Sequence, residues 1–160
     1  MLSEQIPRLR RYARGLTQNT SEADDLVQDV LERAWDKRLS WQVGSNLRAW
    51  LFTIMHNVFV NGVRRNKMAK DYKAALTQSS PGYVEETPLL LRDLENCLAQ
   101  LKPEYREVVL LAGLEGMSYK EIAAVTAVPL GTVMSRLSRG REELRELISE
   151  QQASKVVRIK

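Results

Sequence analysis

The sequence predicts an all-α protein: two small helical domains joined by a flexible linker, the C-terminal one containing a helix-turn-helix. Two long stretches poor in Pro and Gly repeat their apolar residues at helical spacing. Runs of β-branched residues bounded by turns are nearly absent. Between the two stretches, the segment TQSSPGYVEETP clusters Ser, Pro, Gly and Thr without any period, as a linker does. A loop of that length inside one compact domain would be unusual, which favours two. The expected division is 1–72, a linker over 73–92, a second domain over 93–152 and a short frayed tail over 153–160.

The first helix is expected to bury Ile6, Leu9, Tyr12, Ala13 and Leu16. Asn19, Thr20 and Ser21 break it, and Ser21 with Asp24 three residues on reads as a capping-box-like start. The helix from Glu22 to about Lys37 turns Ala23, Leu26, Val27, Val30, Leu31 and Ala34 inward and leaves Asp24, Asp25, Gln28, Asp29 and Glu32 outside. After a loop containing Gly44, Asn46 can cap a long helix reaching past Arg65, apolar almost all round and so suited to the centre of a bundle. In the second domain Leu94, Leu98 and Leu101 form a seam that Lys102-Pro103 stops. A helix from Glu104 to about Leu114 follows, ended by Gly116.

Composition excludes several classes of function. Cys97 is the sole cysteine and His56 the sole histidine, so neither an internal disulfide nor a zinc site of several Cys and His ligands can be assembled. No catalytic constellation and no cofactor motif is visible. The N-terminal MLSEQIPRLRRYARG lacks the apolar core of a signal peptide, and no stretch approaches the roughly 20 apolar residues of a membrane span. The expectation is a cytoplasmic protein without membrane insertion. The net charge is only +4, so the placement of the charge matters more than its sum.

That placement is informative near the C-terminus. Ser118 and Glu121 form a capping box for a short helix carrying Ile122, Ala123 and Val125, and Pro129 stands near the first turn of the next. There Val133, Leu137, Gly140, Leu144 and Leu147 make an inward seam, while Thr132, Ser135, Ser138 and Arg139, flanked by Arg136 and Arg141, face out. No acidic residue occurs from Pro129 to Arg141. An isolated basic face is commonly just solvated. Behind a capped helix and a short turn, a basic, hydroxyl-bearing face suits a major groove.

The stretch LKPEYREVVLLAGLEGMSYKEIAAVTAVPLGTVMSRLSRGREELREL resembles the C-terminal domain of extracytoplasmic-function (ECF) sigma factors. ADDLVQDVLERAW followed by NLRAWLFTIMHNVFVNGVRRNK resembles their N-terminal domain, in the same order and at the same separation. The N-terminal wording is especially similar to the group serving the general stress response of alphaproteobacteria. The resemblance covers nearly the whole chain, and it implies roles that composition does not. Asp25, Leu26, Gln28 and Asp29 would dock on the β′ clamp helices of core RNA polymerase, whose β flap is the second expected contact. Spacing alone leaves Leu26 open between contact and core.

The resemblance also implies that the loop Trp41 to Asn46 and the following helix recognise and melt the −10 promoter element. Trp41, Asn46, Asn57, Asn61, Arg64 and Arg65 are the residues concerned, since melting is repaid by catching flipped bases and holding the backbone with cations. Trp50 reads as core; Trp41 is left open between exposure and a buried anchor. Thr132, Ser135, Arg136, Ser138, Arg139 and Arg141 would read the −35 element. Many family members have Arg at position 56 and an acidic residue near 61; this chain has His56 and Asn61, which leaves those contacts open. Glu85 and Glu86 in the linker could mimic nucleic-acid charge near the polymerase channel, and an anti-sigma factor is an expected partner. The rival readings are a helix-turn-helix repressor, which would bind duplex DNA tightly unaided, and a sigma-mimicking module, which the basic helix disfavours.

Overall fold

The structure, a computed structural model, describes residues 2–72 and 89–159. Among these residues every regular element is helical: α1 (Leu2–Thr17), α2 (Thr20–Asp36), a 3-10 turn (Arg38–Ser40), α3 (Leu47–Tyr72), α4 (Leu89–Gln100), α5 (Pro103–Gly113), α6 (Tyr119–Thr126) and α7 (Leu130–Ile159). Most of the expected linker, with Glu85 and Glu86, lies outside the described residues. Its last four positions, 89–92, are already helical and open α4.

Helices α1, α2 and α3 form the first module. Leu9, Ala13 and Leu16 of α1, Val27 and Val30 of α2, and Leu51 and Met55 of α3 are buried at its centre. Tyr12 meets Phe52 edge to face, with ring centroids 5.0 Å apart at 77°. The start of α2 differs from the sequence expectation. Gln18 takes a left-handed conformation (φ 60°), and Asn19, not Ser21, is the cap. Asn19 Oδ1 accepts from the Glu22 backbone N–H at 3.1 Å, so the helix begins at Thr20 with Ser21 already inside it.

Helices α4 to α7 form the second module, packed around Leu101, Val108, Leu111, Ile122, Val133 and Leu137. Cys97, not Leu94, fills the inner side of α4; Leu94 is 38% exposed. Gly140 is needed for packing, because a Cβ there would lie 2.9 Å from Val109 Cγ2 and 3.3 Å from Tyr105 Cβ. The expected frayed tail is instead the continuation of α7. Lys155 pairs with Asp93, and the Cys97 thiol donates to Gln151 Oε1 at 3.4 Å, so α4 supports this last stretch of helix.

The two modules pack on each other, α1 against α5 and α3 against α6. Gly15 lets α1 approach closely: a Cβ there would sit 3.1 Å from Leu110 Cδ2. Arg106 donates to the Leu98, Ala99 and Leu101 carbonyls that end α4 and, across the interface, to Leu16 O at 2.8 Å. Partial burial pulls its pKa down from the ordinary guanidinium value. Arg48 donates to Glu115 O at 2.8 Å, and Arg11 Nη2 lies 3.6 Å from the buried Glu115 carboxylate. The His56 imidazole Nδ1 is in hydrogen-bond contact with Glu107, itself only 3% exposed.

Candidate nucleic-acid interface

The helix-turn-helix forms as its local chemistry dictates. Ser118 Oγ accepts from the Glu121 N–H at 3.2 Å, and the Glu121 carboxylate returns to the Ser118 N–H at 2.9 Å. Three residues then make the turn. Ala127 is left-handed (φ 54°, ψ 41°) and Val128 N–H reaches the Ala123 carbonyl at 3.3 Å. The Pro129 carbonyl accepts from Thr132 and Val133, starting α7.

On α7, Val133, Leu137 and Gly140 are buried as expected. At 100° per residue the centre of the opposite side falls on Gly131, Ser135, Ser138 and Arg139, all exposed. Thr132 and Arg136 lie on one flank and are half-buried; Arg141 lies on the other and is exposed. The centre of the face is open to solvent, whereas Arg136 reaches out only from its flank.

The first module brings its predicted residues together differently. Asn46 caps α3 as expected, its Oδ1 accepting from the Ala49 N–H at 3.1 Å. Asn57, Asn61, Arg64 and Arg65 are exposed along α3. Trp41 is half-buried and tilted against Trp50, 6.4 Å between centroids, with its Nε1 buried and unpartnered among the described residues. It is an anchor for the loop, and the exposed apolar groups there are Leu39 and Val43. Asp25, Gln28 and Asp29 are exposed on α2, but Leu26 is only 7% exposed and belongs to the core. A groove of about 420 Å³ between α2 and α3 is lined by Asp25, Leu26 and Asp29 together with Asn61 and Arg65. Surfaces assigned from sequence to two different partners are thus contiguous.

Sequence reasoning missed the residues that join the modules. His56, whose contacts the sequence leaves open, has a side chain only 13% exposed that engages Glu107. Arg48 approaches Glu121 at 3.9 Å as well as Glu115. Buried Tyr12 lies near both acids; burial above all, with Glu107 and Glu115 adding, pushes its phenol well above the ordinary value. Such contacts, some 50 to 100 residues apart in the chain, leave no local pattern.

Comparison with known proteins agrees with this arrangement. Residues 2–56 match the Sigma2 domain of PhyR, and residues 91–144 match sigma-70, region 4. The chain is 37% identical over 147 residues to the ECF RNA polymerase sigma factor EcfG of Rhodopseudomonas palustris (strain TIE-1), covering 89% of this chain and 80% of that protein. The chain belongs to the ECF RNA polymerase sigma factors. To this family's SigL from Mycobacterium tuberculosis it is 35% identical over 150 residues, covering 89% of this chain and 83% of SigL. Its fold superposes with a TM-score of 0.80 on the sigma factor RpoE of Bartonella quintana, solved in complex with the anti-sigma factor NepR. That pair is 38% identical, covering 92% of this sigma factor and 94% of RpoE. CnrH, solved with the cytosolic domain of CnrY, gives a TM-score of 0.70 at 26% identity, covering 93% and 85% of the two chains. The likeness to PhyR and to RpoE fits the alphaproteobacterial stress-response group. Among the described residues no helix is long and apolar enough to cross a membrane.

Proposed function

We propose that this sigma factor docks on core RNA polymerase through the exposed Asp25, Gln28 and Asp29 of α2 and opens the −10 element with α3 and the loop before it. In this reading residues 1–72 are the polymerase and −10 unit and residues 93–152 the −35 unit, reading through Ser135, Ser138 and Arg139 on α7. The chain supplies no covalent chemistry, works in the cytoplasm and is held in check by an anti-sigma factor, as RpoE is complexed with NepR. The observation that carries the proposal is the outer face of α7, exposed, basic and free of acid from Pro129 to Arg141, behind a fully formed capping box.

The packed modules constrain how this happens. Elements centred at −10 and −35 are separated by about 25 base pairs, or about 85 Å of duplex at 3.4 Å per step, while a compact chain of this length is about 40 Å across. Both elements are contacted at once only after α1 and α3 part from α5 and α6. A gel shift on a promoter duplex tests the proposal against the repressor reading. The expected result is weak retardation by the chain alone and strong, sequence-selective retardation once core polymerase is added. Tight duplex binding without polymerase would make the protein a repressor.

A further inference from the structure

Two large apolar side chains stand exposed at the start of α7, where the surrounding surface is cationic. Met134 is 52% exposed and Leu130 is 41% exposed. They are four residues apart, one turn, and so stack along the same flank of the helix. Arg141 continues that flank; of the residues at the centre of the outer face Ser138 is the nearest to it and Arg139 the farthest. Neither side chain belongs to the core that α7 shares with α5 and α6, which is filled by Val133 and Leu137.

We infer that Met134, backed by Leu130, reads thymine 5-methyl groups in the −35 duplex, which makes it a specificity-determining residue beside Ser135, Ser138 and Arg139. The inference rests on the reading of α7 as the −35 helix. In the major groove the thymine methyl is the one apolar feature among hydrogen-bonding edges, and an aliphatic side chain is its natural partner. Methionine suits the task, because an unbranched, polarizable side chain adapts to a methyl whose position shifts with local DNA shape. Charge decides in favour of DNA as the occupant of this patch. A partner protein seated along Leu130 and Met134 would also have to cover Arg141, with no acidic residue on α7 before Glu142 to set against it, whereas a duplex meets the cation with a phosphate and the methionine with a base.

The test uses the full chain with core polymerase on a duplex promoter fragment chosen by run-off transcription, with each thymine of the −35 region replaced in turn by deoxyuridine. That replacement removes one methyl and leaves every hydrogen bond. Wild type is expected to lose affinity about fourfold at one or two positions, the effect of one buried methyl group. Met134→Ala is expected to bind the thymine and uracil duplexes equally well, with Leu130→Ala intermediate. Met134 is exposed, so its truncation does not threaten the fold, and an unchanged circular dichroism melt confirms this. Promoter binding that ignores uracil everywhere, or a Met134→Ala variant that still senses it as wild type does, overturns the inference and leaves the −35 assignment standing. Failure of the polymerase complex to select any promoter overturns that assignment and the inference with it.

Discussion

Helices α3 and α7 carry the two proposed DNA-reading surfaces, and they are committed to the rest of the molecule in different ways. The centre of the outer face of α7 is exposed at Ser135, Ser138 and Arg139, while its seam faces α4, α5 and α6. Helix α3 shares itself between two tasks. Asn57 and Asn61 are exposed, but Arg48 and His56 are engaged with Glu115, Glu121 and Glu107 of the other module. On the proposed assignment the chain can therefore present the α7 face while closed, whereas full use of α3 calls for separation of the modules.

The strongest response to mutation is expected at the boundary between core and contact on α2. Leu26→Ala should destabilise the first module by about 2–5 kcal/mol, the cost of emptying a buried leucine site. Asp29→Ala should leave the thermal midpoint nearly unchanged and weaken polymerase binding instead. Leu26→Ala protein with a native melting curve would return Leu26 to the contact surface.

Next in size is the module interface. His56→Ala leaves the buried Glu107 carboxyl without its hydrogen-bond partner, a loss of about 1–3 kcal/mol for the closed state. The chain has an escape, which is to part its modules and hydrate Glu107. Small-angle scattering should then show a radius of gyration well above the roughly 15 Å of a compact chain of this length, with helix content unchanged. An unaltered radius would mean that α1–α5 packing alone holds the closed form.

The −35 surface should respond in a graded way. Arg139→Ala, at the centre of the outer face, is expected to lose about 1–3 kcal/mol of promoter affinity and to relax selectivity at one base pair. Arg136→Ala, from the flank, should weaken binding evenly across sequences and reduce its salt dependence. Equal loss of selectivity in both variants would contradict the flank-and-centre assignment.

The smallest effect is alkaline. Tyr12 holds its proton more tightly folded than unfolded, because of its burial first and then Glu107 and Glu115. Its contribution is intact below pH about 10 and declines as pH rises above that value, since the unfolded phenol ionises first. Thermal midpoints between pH 9 and 11 should fall more steeply for wild type than for Tyr12→Phe.

What could be read from sequence divides along the same line as the two helices. The α6–α7 unit was legible almost completely, since the Ser118–Glu121 box, the turn and the Val133–Leu137–Gly140 seam are all local patterns. The α2 start was misassigned because Asn19 and Ser21 both offer a capping oxygen within three residues, and only the left-handed Gln18 decides between them. The tail was misjudged because its helix is sustained by Asp93 and Cys97, some 50 to 60 residues away in the chain. The interface that engages Arg48 and His56 of α3 was invisible for the same reason. Arg106 reaching Leu16 and His56 reaching Glu107 are products of topology, and a lone histidine on an apolar helix carries no mark of its partner.

The decisive experiment for sigma activity is run-off transcription with purified core polymerase on genomic promoter fragments, with and without this protein. Promoter-dependent transcripts are expected to appear only when the protein is present and to be lost with Arg139→Ala while the polymerase complex persists. Absence of such transcripts, together with absence of a stable complex with core polymerase, would contradict sigma activity.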